Sequence, residues 1–307
     1  MKTPLLNPVL TGLASRFIAT QPTVGLRIAP VLNSQIHAAQ YYVYDPANHY
    51  NVPTNIQRAP SSPFKRLKSS LSSDTFLCKD YGVEEPIDKM QLQMFSSIFA
   101  ADRSGMDRAV NVVLLNHEIR VRDMARGVTQ TSTPAVKWNA QANTTIVGDI
   151  EMAKAVIRAQ IGVIPNMLTL PYDVFVALRQ APELRAYYQN TDGLVTIEQM
   201  KVLFGVEEIV VSGAIINGAN EGQAASLADI WTDEAFLSYS KPSPDVKALN
   251  FARTFNWTAA DGSGPAGVST FTYDENEIDS RVVRARQFTD EKVIAAGAGY
   301  YFSNVLN

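Results

Sequence analysis

The sequence has little of what enzymes and metalloproteins use for chemistry. Its 307 residues include one cysteine, Cys78, and three histidines, His37, His49 and His117. A single cysteine excludes a disulfide within the chain and is typical of a protein kept in a reducing compartment. The histidines lie too far apart for the ligand spacing of a metal site. We therefore predict no metal site and no cofactor.

Motifs that bind nucleotides or activate a nucleophile are also missing. There is no G-x-x-x-x-G-K-[ST], no G-x-G-x-x-G after a strand and no G-x-S-x-G elbow. The pair His117-Glu118 lacks the second histidine of a zinc-protease helix. We predict no catalytic residue, no cofactor-binding residue and no metal ligand, and a protein that is not an enzyme. One acidic run could offer carboxylates to a hard cation, but it lacks the glycine and spacing of a calcium loop, which favours a solvated loop: Asp274, Glu275, Glu277 and Asp279.

No apolar run reaches the roughly 18 residues of a membrane-spanning helix. The first residues also lack the apolar core of a signal peptide. The formal net charge is -3, which disfavours binding of free nucleic acid as the main function. We expect a soluble protein made in the cytoplasm.

Residues 148 to 239 carry the clearest local signals. Apolar residues at helical spacing predict a helix that ends at Gly162, since glycine readily takes positive φ. An apolar strand from Met167 follows, then a helix over 172–180 and a turn begun by Pro182. Thr196 with Gln199 three residues later predicts a capping box. The strands expected next, over 209–211, 215–216 and 230–239, complete a compact α+β module.

The first 35 residues combine apolar pieces with Pro4, Pro8, Pro22 and Pro30. This spacing disfavours a long helix, so we predict an extended arm that packs on another surface, such as a second subunit. A loosely ordered terminus is the alternative. A strand over 35–44 is expected next.

The stretch from Asn48 to Lys79 is long and mostly polar. Residues 64–68 and 75–79 flank a serine-rich turn and predict a two-stranded excursion, which would lean on a neighbour. Its cluster of Lys65, Arg66 and Lys68 either contacts an acidic partner or forms a solvated face.

Pro86 is predicted to start a long helix that ends at Gly127 and serves as a strut. Its apolar stripe is interrupted by Asp102 and His117, and Gly105 permits a bend. A ligand or catalytic role for His117 is the alternative to a hydrogen-bonded histidine in a core or interface. Beyond the module, strands are predicted over 251–257, 269–273 and 280–288, and the stretch 293–305 ends the chain.

An arm, an excursion, a strut helix and a module without catalytic groups favour self-assembly. With these parts in this order, the chain resembles the major capsid proteins of tailed bacteriophages, with the Hong Kong 97-type capsid fold. The resemblance covers most of residues 35 to 307. It is carried by these segments: Pro165-Asn166-Met167-Leu168-Thr169-Leu170, residues 176–182, residues 195–206, Ile209-Val210-Val211, Asp229-Ile230-Trp231, Phe64-Lys65-Arg66 and Cys78-Lys79-Asp80-Tyr81-Gly82.

The resemblance implies an α+β subunit divided as in that family. The implied parts are an N-terminal arm over 1–35, a peripheral domain with the spine helix over 36–45 and 86–144, an extended loop over 46–85, an axial domain with adjoining peripheral strands over 145–250, and C-terminal strands over 251–307 that return to the peripheral domain.

The resemblance also implies the function and the partners. Copies would form pentamers and hexamers of an icosahedral head assembled in the host cytoplasm, making the protein a component of the virion. Expected partners are the chain itself, a portal, a possible decoration protein and packaged double-stranded DNA touched non-specifically, with no membrane.

The chain departs from the family pattern in two respects. Some members begin with a long helical scaffolding segment, and this sequence does not, so a separate scaffolding protein is expected. Some members crosslink through a lysine and an asparagine. Lys65 and Lys68 lie in the corresponding loop, but no partner or carboxylate is identified, and we do not predict the crosslink.

Two alternatives stay open at this point. An encapsulin, the shell of a bacterial compartment, would have the same fold. A cytoplasmic α/β enzyme with an unfamiliar site would show a deep pocket with perturbed acids.

Overall fold

In the computed structural model, the described residues are 5–46, 50–54, 56–66, 72–92, 97–188, 193–220, 222–260, 262–263 and 267–306. Within them, helices and strands are interspersed up to Phe204, and strands with one 3₁₀ turn follow. Two larger sheets and two short strand pairs result.

The N-terminal segment is not the extended arm that the prolines predicted. After the short strand β1 (Leu5–Leu6) it forms helix α1 (Pro8–Thr20) and helix α2 (Gly25–Ile28). Pro8 lies in the first turn of α1, where a missing N–H costs nothing, and the Asn7 side chain caps the helix by accepting the Leu10 N–H at 3.1 Å. Pro22 follows the helix end, so the prolines bracket the helix instead of interrupting it.

The apolar face of α1 packs on its own chain. Leu10, Ala14 and Ile18 are buried in one cluster with Met106 and Val110 of the long helix. The apolar residues that suggested contact with another surface are therefore partly used within the subunit.

The long helix is shorter than predicted at its N-terminal end. Residues Lys79–Asp88 form strand β5, followed by a short helix α3 (Lys89–Leu92) and then α4 (Ile98–Arg126). Pro86 belongs to β5, in register with Val282 of the later strand β14 (Ser280–Val293), and does not start a helix. Ser97 caps α4 by accepting the Ala100 N–H at 3.1 Å. The predicted end at Gly127 is confirmed. With 29 residues, α4 is about 43 Å long.

The first larger sheet is built around the 14-residue strand β14 (Ser280–Val293). Strand β5 runs along one edge of β14, and β13 (Ser269–Glu275) and β12 (Ala252–Trp257) pair with the other. Strand β2 (Val31–Ser34) extends the sheet beyond β12, and β1 extends it beyond β13. Helix α4 lies against this sheet at Gly105, where a Cβ would stand 3.2 Å from Val283 Cγ2.

The module over 146–238 is largely as predicted. Helix α5 (Ile146–Ile161) ends at Gly162, which has φ 72°, and the capping box of Thr196 and Gln199 is present. The remaining helices of the module are α6 (Tyr172–Gln180), α7 (Pro182–Tyr187) and α8 (Ile197–Phe204).

These helices pack on the second larger sheet. Its strands, in spatial order, are β6 (Thr131–Ser132), β15 (Gly299–Ser303), β11 (Glu234–Ser238), β7 (Met167–Pro171) and β8 (Glu208–Ser212). Strand β11 is shorter than the predicted 230–239, and Ile230 and Trp231 lie before it. A 3₁₀ turn, Ala296–Ala298, leads into β15.

The two-stranded excursion predicted within 64–79 is wrong in its pairing. Strand β4 (Ser73–Leu77) pairs with β3 (Ala38–Tyr42), which lies about 35 residues earlier, and not with residues 64–66. Residues 67–71, with Lys68 and most of the serine-rich turn, lie outside the described residues. The last strand pair is the hairpin of β9 (Ile215–Asn217) and β10 (Leu227–Asp229).

Candidate assembly surfaces

The loop over residues 50–54 and 56–66, here called the exposed loop, lies on the surface of the subunit. Four large apolar side chains on it are between 55% and 80% exposed: Tyr50, Val52, Ile56 and Phe64. Apolar side chains gathered in this way on a single segment indicate a contact surface for another molecule.

Inside the exposed loop, local contacts order the backbone. The Arg58 guanidinium lies 4.8 Å from the centre of the Phe64 ring, and the Lys65 ammonium donates to the Thr54 carbonyl at 2.7 Å. Ser62 donates both its N–H and its hydroxyl to the Ala59 carbonyl. The described part of the loop carries three cations, the third being Arg66, and no carboxylate.

The base of the exposed loop is fixed at the end of α5. The Tyr50 hydroxyl donates to the Ile161 carbonyl at 2.7 Å, and the Tyr44 hydroxyl donates to the same oxygen at 3.2 Å. Gly162 has no Cβ, which leaves room for the Tyr50 ring beside it. The loop is thus anchored at one end by Tyr50, while Val52, Ile56 and Phe64 remain at least 70% exposed.

Charged residues on β5 and β14 pair across the first sheet. Arg286 forms two hydrogen bonds with Asp80, at 2.8 and 2.6 Å, and Arg284 pairs with Glu84. Because these side chains are partly exposed, each pair contributes little to stability. Their mutual pairing explains the alternating arginines of the sequence without a ligand.

His117 is a hydrogen-bonded core histidine, as the sequence favoured. Its Nε2 lies 3.0 Å from the Thr254 hydroxyl and 3.6 Å from a carboxylate oxygen of Glu291. Burial lowers the pKa of His117 to about 4. Burial alone would raise the pKa of Glu291, but the hydrogen bonds from Arg120 help to hold it below its usual range.

The sequence indicates Glu118, the next residue, only as part of an incomplete zinc motif. Its buried carboxylate accepts the N–H groups of Val24 and Gly25, at 3.1 and 2.6 Å, and the indole N–H of Trp231 at 2.7 Å. Burial raises the pKa of Glu118, although these three donors act in the opposite direction. A lone glutamate on a helix gives no sequence signal for such a role.

The acidic run at 274–279 takes part in ion pairs. Arg281 contacts Asp274 at 3.2 Å, and Lys89 pairs with Asp279. Within the described ranges, no group of three or more His, Cys, Asp or Glu side chains is placed to hold a metal ion. In the same part of the chain, none of the helices combines the length and apolarity needed to cross a bilayer.

Comparison with known proteins confirms the resemblance that the sequence suggested. The chain is 25% identical over 313 residues to a protein named major capsid protein from Burkholderia phage BcepMu, covering 99% of this chain and 98% of that protein. A solved phage-related protein from Bordetella bronchiseptica has 21% identity and a TM-score of 0.75, covering 99% and 98% of the two chains. No family model matches the chain.

The same fold occurs in other shells. An encapsulin from Synechococcus elongatus has 10% identity and a TM-score of 0.55, covering 99% of this chain and 91% of that one. The fold is therefore the Hong Kong 97-type capsid fold of class α+β.

Proposed function

Because this chain has the Hong Kong 97-type capsid fold and resembles the tailed-phage major capsid proteins along nearly its whole length, we propose that it is the major capsid protein of a tailed phage. Copies form pentamers and hexamers of an icosahedral head that encloses double-stranded DNA. The observation that carries this proposal is the fold match over 99% of the chain, together with an exposed loop that presents four large apolar side chains.

The loop is the part of the subunit best suited to reach a neighbour. Burying an apolar side chain of this size is worth about 1.5–3 kcal/mol. Val52 and Ile56, exposed by 80% and 70%, gain little of this within one chain. Contacts of modest size, repeated over many copies, can then close a shell.

We assign the parts of the subunit as the family resemblance implies. Residues 1–35 form the N-terminal arm, here largely helical, and 46–85 the extended loop. The peripheral domain takes 36–45 and 86–144 with the spine helix, the axial domain and its adjoining strands take 145–250, and 251–307 returns to the peripheral domain. The packing of β14 against α4, with β12 and β13 paired to β14, supports the last assignment.

The proposal extends to partners and place. The head assembles in the host cytoplasm with a separate scaffolding protein and a portal, accepts a possible decoration protein, and becomes part of the virion. Contact with DNA is weak and independent of sequence.

The role is structural and not enzymatic. The two buried carboxyls with shifted pKa, Glu118 and Glu291, are enclosed by hydrogen bonds from the protein itself. They line neither the pocket of about 590 Å³ beside Tyr50 and Gly162 nor the pocket of about 620 Å³ between β5 and β14.

Electron microscopy of the expressed chain, alone and with the scaffolding protein encoded beside it, tests the proposal. We expect closed particles with pentamers and hexamers. A double variant, Val52→Ser with Phe64→Ser, should keep the fold and lose the particles, while Tyr172→Ser, an exposed aromatic of the module, serves as the control for loss of a surface apolar group. A chain that stays monomeric under all these conditions would contradict the proposal.

The encapsulin alternative is favoured by one observation, the fold match to an encapsulin. The contents of particles isolated from the native host separate the two functions. Double-stranded DNA inside supports the phage head, and a packaged enzyme without DNA supports the encapsulin.

A further inference from the structure

A groove lies between the N-terminal helix α1 and the long helix α4. Leu13 and Phe17 of α1 and Met106 of α4 form its apolar lining, and its volume is about 390 Å³. Because α1 is helical and packs on its own subunit, this groove is a surface of the folded chain and does not depend on a neighbour for its existence.

The rim of the groove is net positive. Arg16 and Arg103 stand on its two sides, with one carboxylate, Asp107, near Arg103. Both arginines are exposed, and Arg16 has no ion-pair partner among the residues that the structure describes. An occupant of this groove should therefore offer an apolar side chain next to negative charge.

The tip of the β13–β14 hairpin has this chemistry. The turn over residues 276–279 presents Ile278, which is 51% exposed, between Glu277 and Asp279. Asp279, at φ 47°, pairs with Lys89, whereas Glu277 is exposed and has no ion-pair partner in the described part of the chain. The tip thus holds one apolar side chain and one uncompensated carboxylate.

Charge favours this tip over the exposed loop as the occupant of the α1–α4 groove. The loop also has free apolar side chains, but its three cations would meet the two arginines of the rim. Like charges brought together at an interface repel each other and disfavour the contact.

We propose that the hairpin tip of one subunit inserts Ile278 into the α1–α4 groove of a second copy, where Glu277 faces Arg16. This inference rests on the proposed function, because it specifies one contact of the assembled shell.

The position of the two surfaces suits a contact of this kind. Arg281, just beyond the tip, forms an ion pair with Asp102 at 2.5 and 2.9 Å, and Asp102 precedes Arg103 of the rim. Tip and groove therefore lie at the same end of α4. Two copies related by a two-fold axis near this end can each insert their tip into the groove of the other, and any other rotation makes the contact head-to-tail, which closes into a ring when the rotation permits.

Engineered cysteines test the contact directly, since the natural Cys78 is buried. The full chain carrying Leu13→Cys with Ile278→Cys is assembled, oxidised and run on a denaturing gel without reductant. We expect linked chains from the double variant, a dimer if the contact is reciprocal and a ladder if it is head-to-tail, and monomers from each single variant. A dimer formed by the Ile278→Cys variant alone would show that two tips meet each other, which overturns the inference.

Charge exchange tests the same contact through assembly. Arg16→Glu and Glu277→Arg should each lower the yield of particles at least about tenfold, and the two together should restore it to within about twofold of the unmodified chain. Both side chains are exposed, so thermal unfolding of the unassembled chain should not change. If both single variants gave the same particle yield as the unmodified chain, this contact would be refuted and the proposed function would stand. Unmodified chains that never assemble would refute both.

Discussion

The buried carboxylate of Glu118 accepts the indole N–H of Trp231 at 2.7 Å and the N–H of Gly25 at 2.6 Å. One side chain on α4 therefore holds the first turn of α2 on one side and the segment before β11 on the other. This contact joins three parts of the chain that are more than 90 residues apart in sequence.

Removing this carboxylate should destabilise the fold. Glu118→Ala leaves three buried N–H donors without an acceptor, and each such donor costs about 1–3 kcal/mol. We expect the free energy of unfolding, measured by urea denaturation of the unassembled chain, to fall by at least about 2 kcal/mol.

Glu198→Ala is the control for loss of a glutamate, because the Glu198 side chain is 80% exposed. It should change stability by less than about 0.5 kcal/mol. Equal losses in the two variants would mean that the Glu118 contacts are not what stabilises this region.

His117 should make the subunit sensitive to acid. Its pKa is lowered by burial to about 4 in the folded chain, from an unfolded value of about 6.5. The unfolded state therefore binds more protons below pH 6.5, and stability is lost as the pH falls from about 6.5 to about 4. The full effect is about 3 kcal/mol.

The measurement is urea denaturation at a series of pH values for the unmodified chain and for His117→Gln, which can keep the hydrogen bond to Thr254. The variant should lose less stability over this range of pH. His37→Gln removes an exposed histidine and provides the reference curve. The environment of His117 includes Glu291 at 3.6 Å and Arg120, so the same titration should be repeated in the Glu291→Gln background. Parallel curves for the unmodified chain and His117→Gln would contradict the prediction.

The module over 146–238 could be predicted because its signals are local. Gly162 ends α5 with positive φ, and Thr196 with Gln199 forms a capping box, so a few neighbouring residues determine each boundary. Pro86 shows the limit of this reasoning. A proline is equally compatible with the first turn of a helix and with a strand, and only pairing with Val282 in β14, far along the chain, decides between them.

The candidate surfaces also include features that local sequence predicts and features that depend on distant contacts. A projecting, mostly polar segment was expected within residues 46–85, and its described residues 50–54 and 56–66 lie on the surface. The pairing of β4 with β3 was not predicted, since strand partners depend on contacts distant in sequence. The helical form of α1 was not predicted, because four prolines among 35 residues disfavour a long helix, yet the 13 residues between Pro8 and Pro22 contain no proline and are enough for a short one.

The ion pair of Arg126 with Glu234 should contribute to the stability of the second sheet. Arg126 donates two hydrogen bonds to Glu234, at 2.8 and 2.9 Å, and the Tyr301 hydroxyl also contacts this carboxylate. Glu234 is 1% exposed, so Arg126→Met leaves a buried charge without a cation. We expect a loss of about 3 kcal/mol in urea denaturation.

Combining Arg126→Met with Glu234→Gln removes both charges and should recover most of this loss. Lys201→Met, which breaks the exposed pair with Glu198, is the control and should cost less than about 0.5 kcal/mol. A double variant as unstable as the single one would show that lost packing, and not the unpaired charge, is the cause.

Gly162 should be required for the anchoring of the exposed loop as well as for the end of α5. A Cβ at this position would lie 1.9 Å from the Tyr50 hydroxyl, so Gly162→Ala must displace the ring and break its 2.7 Å hydrogen bond to Ile161. Gly222 also has positive φ, 81°, but its Cβ would meet nothing within 4 Å. Both alanine variants carry the backbone cost of about 1–2 kcal/mol, and Gly162→Ala alone disturbs the loop base.

Limited proteolysis should cut residues 50–66 several times faster in Gly162→Ala than in Gly222→Ala, and particle yield should fall only in the former. The same cleavage rate in both variants would mean that Tyr50 does not anchor the loop.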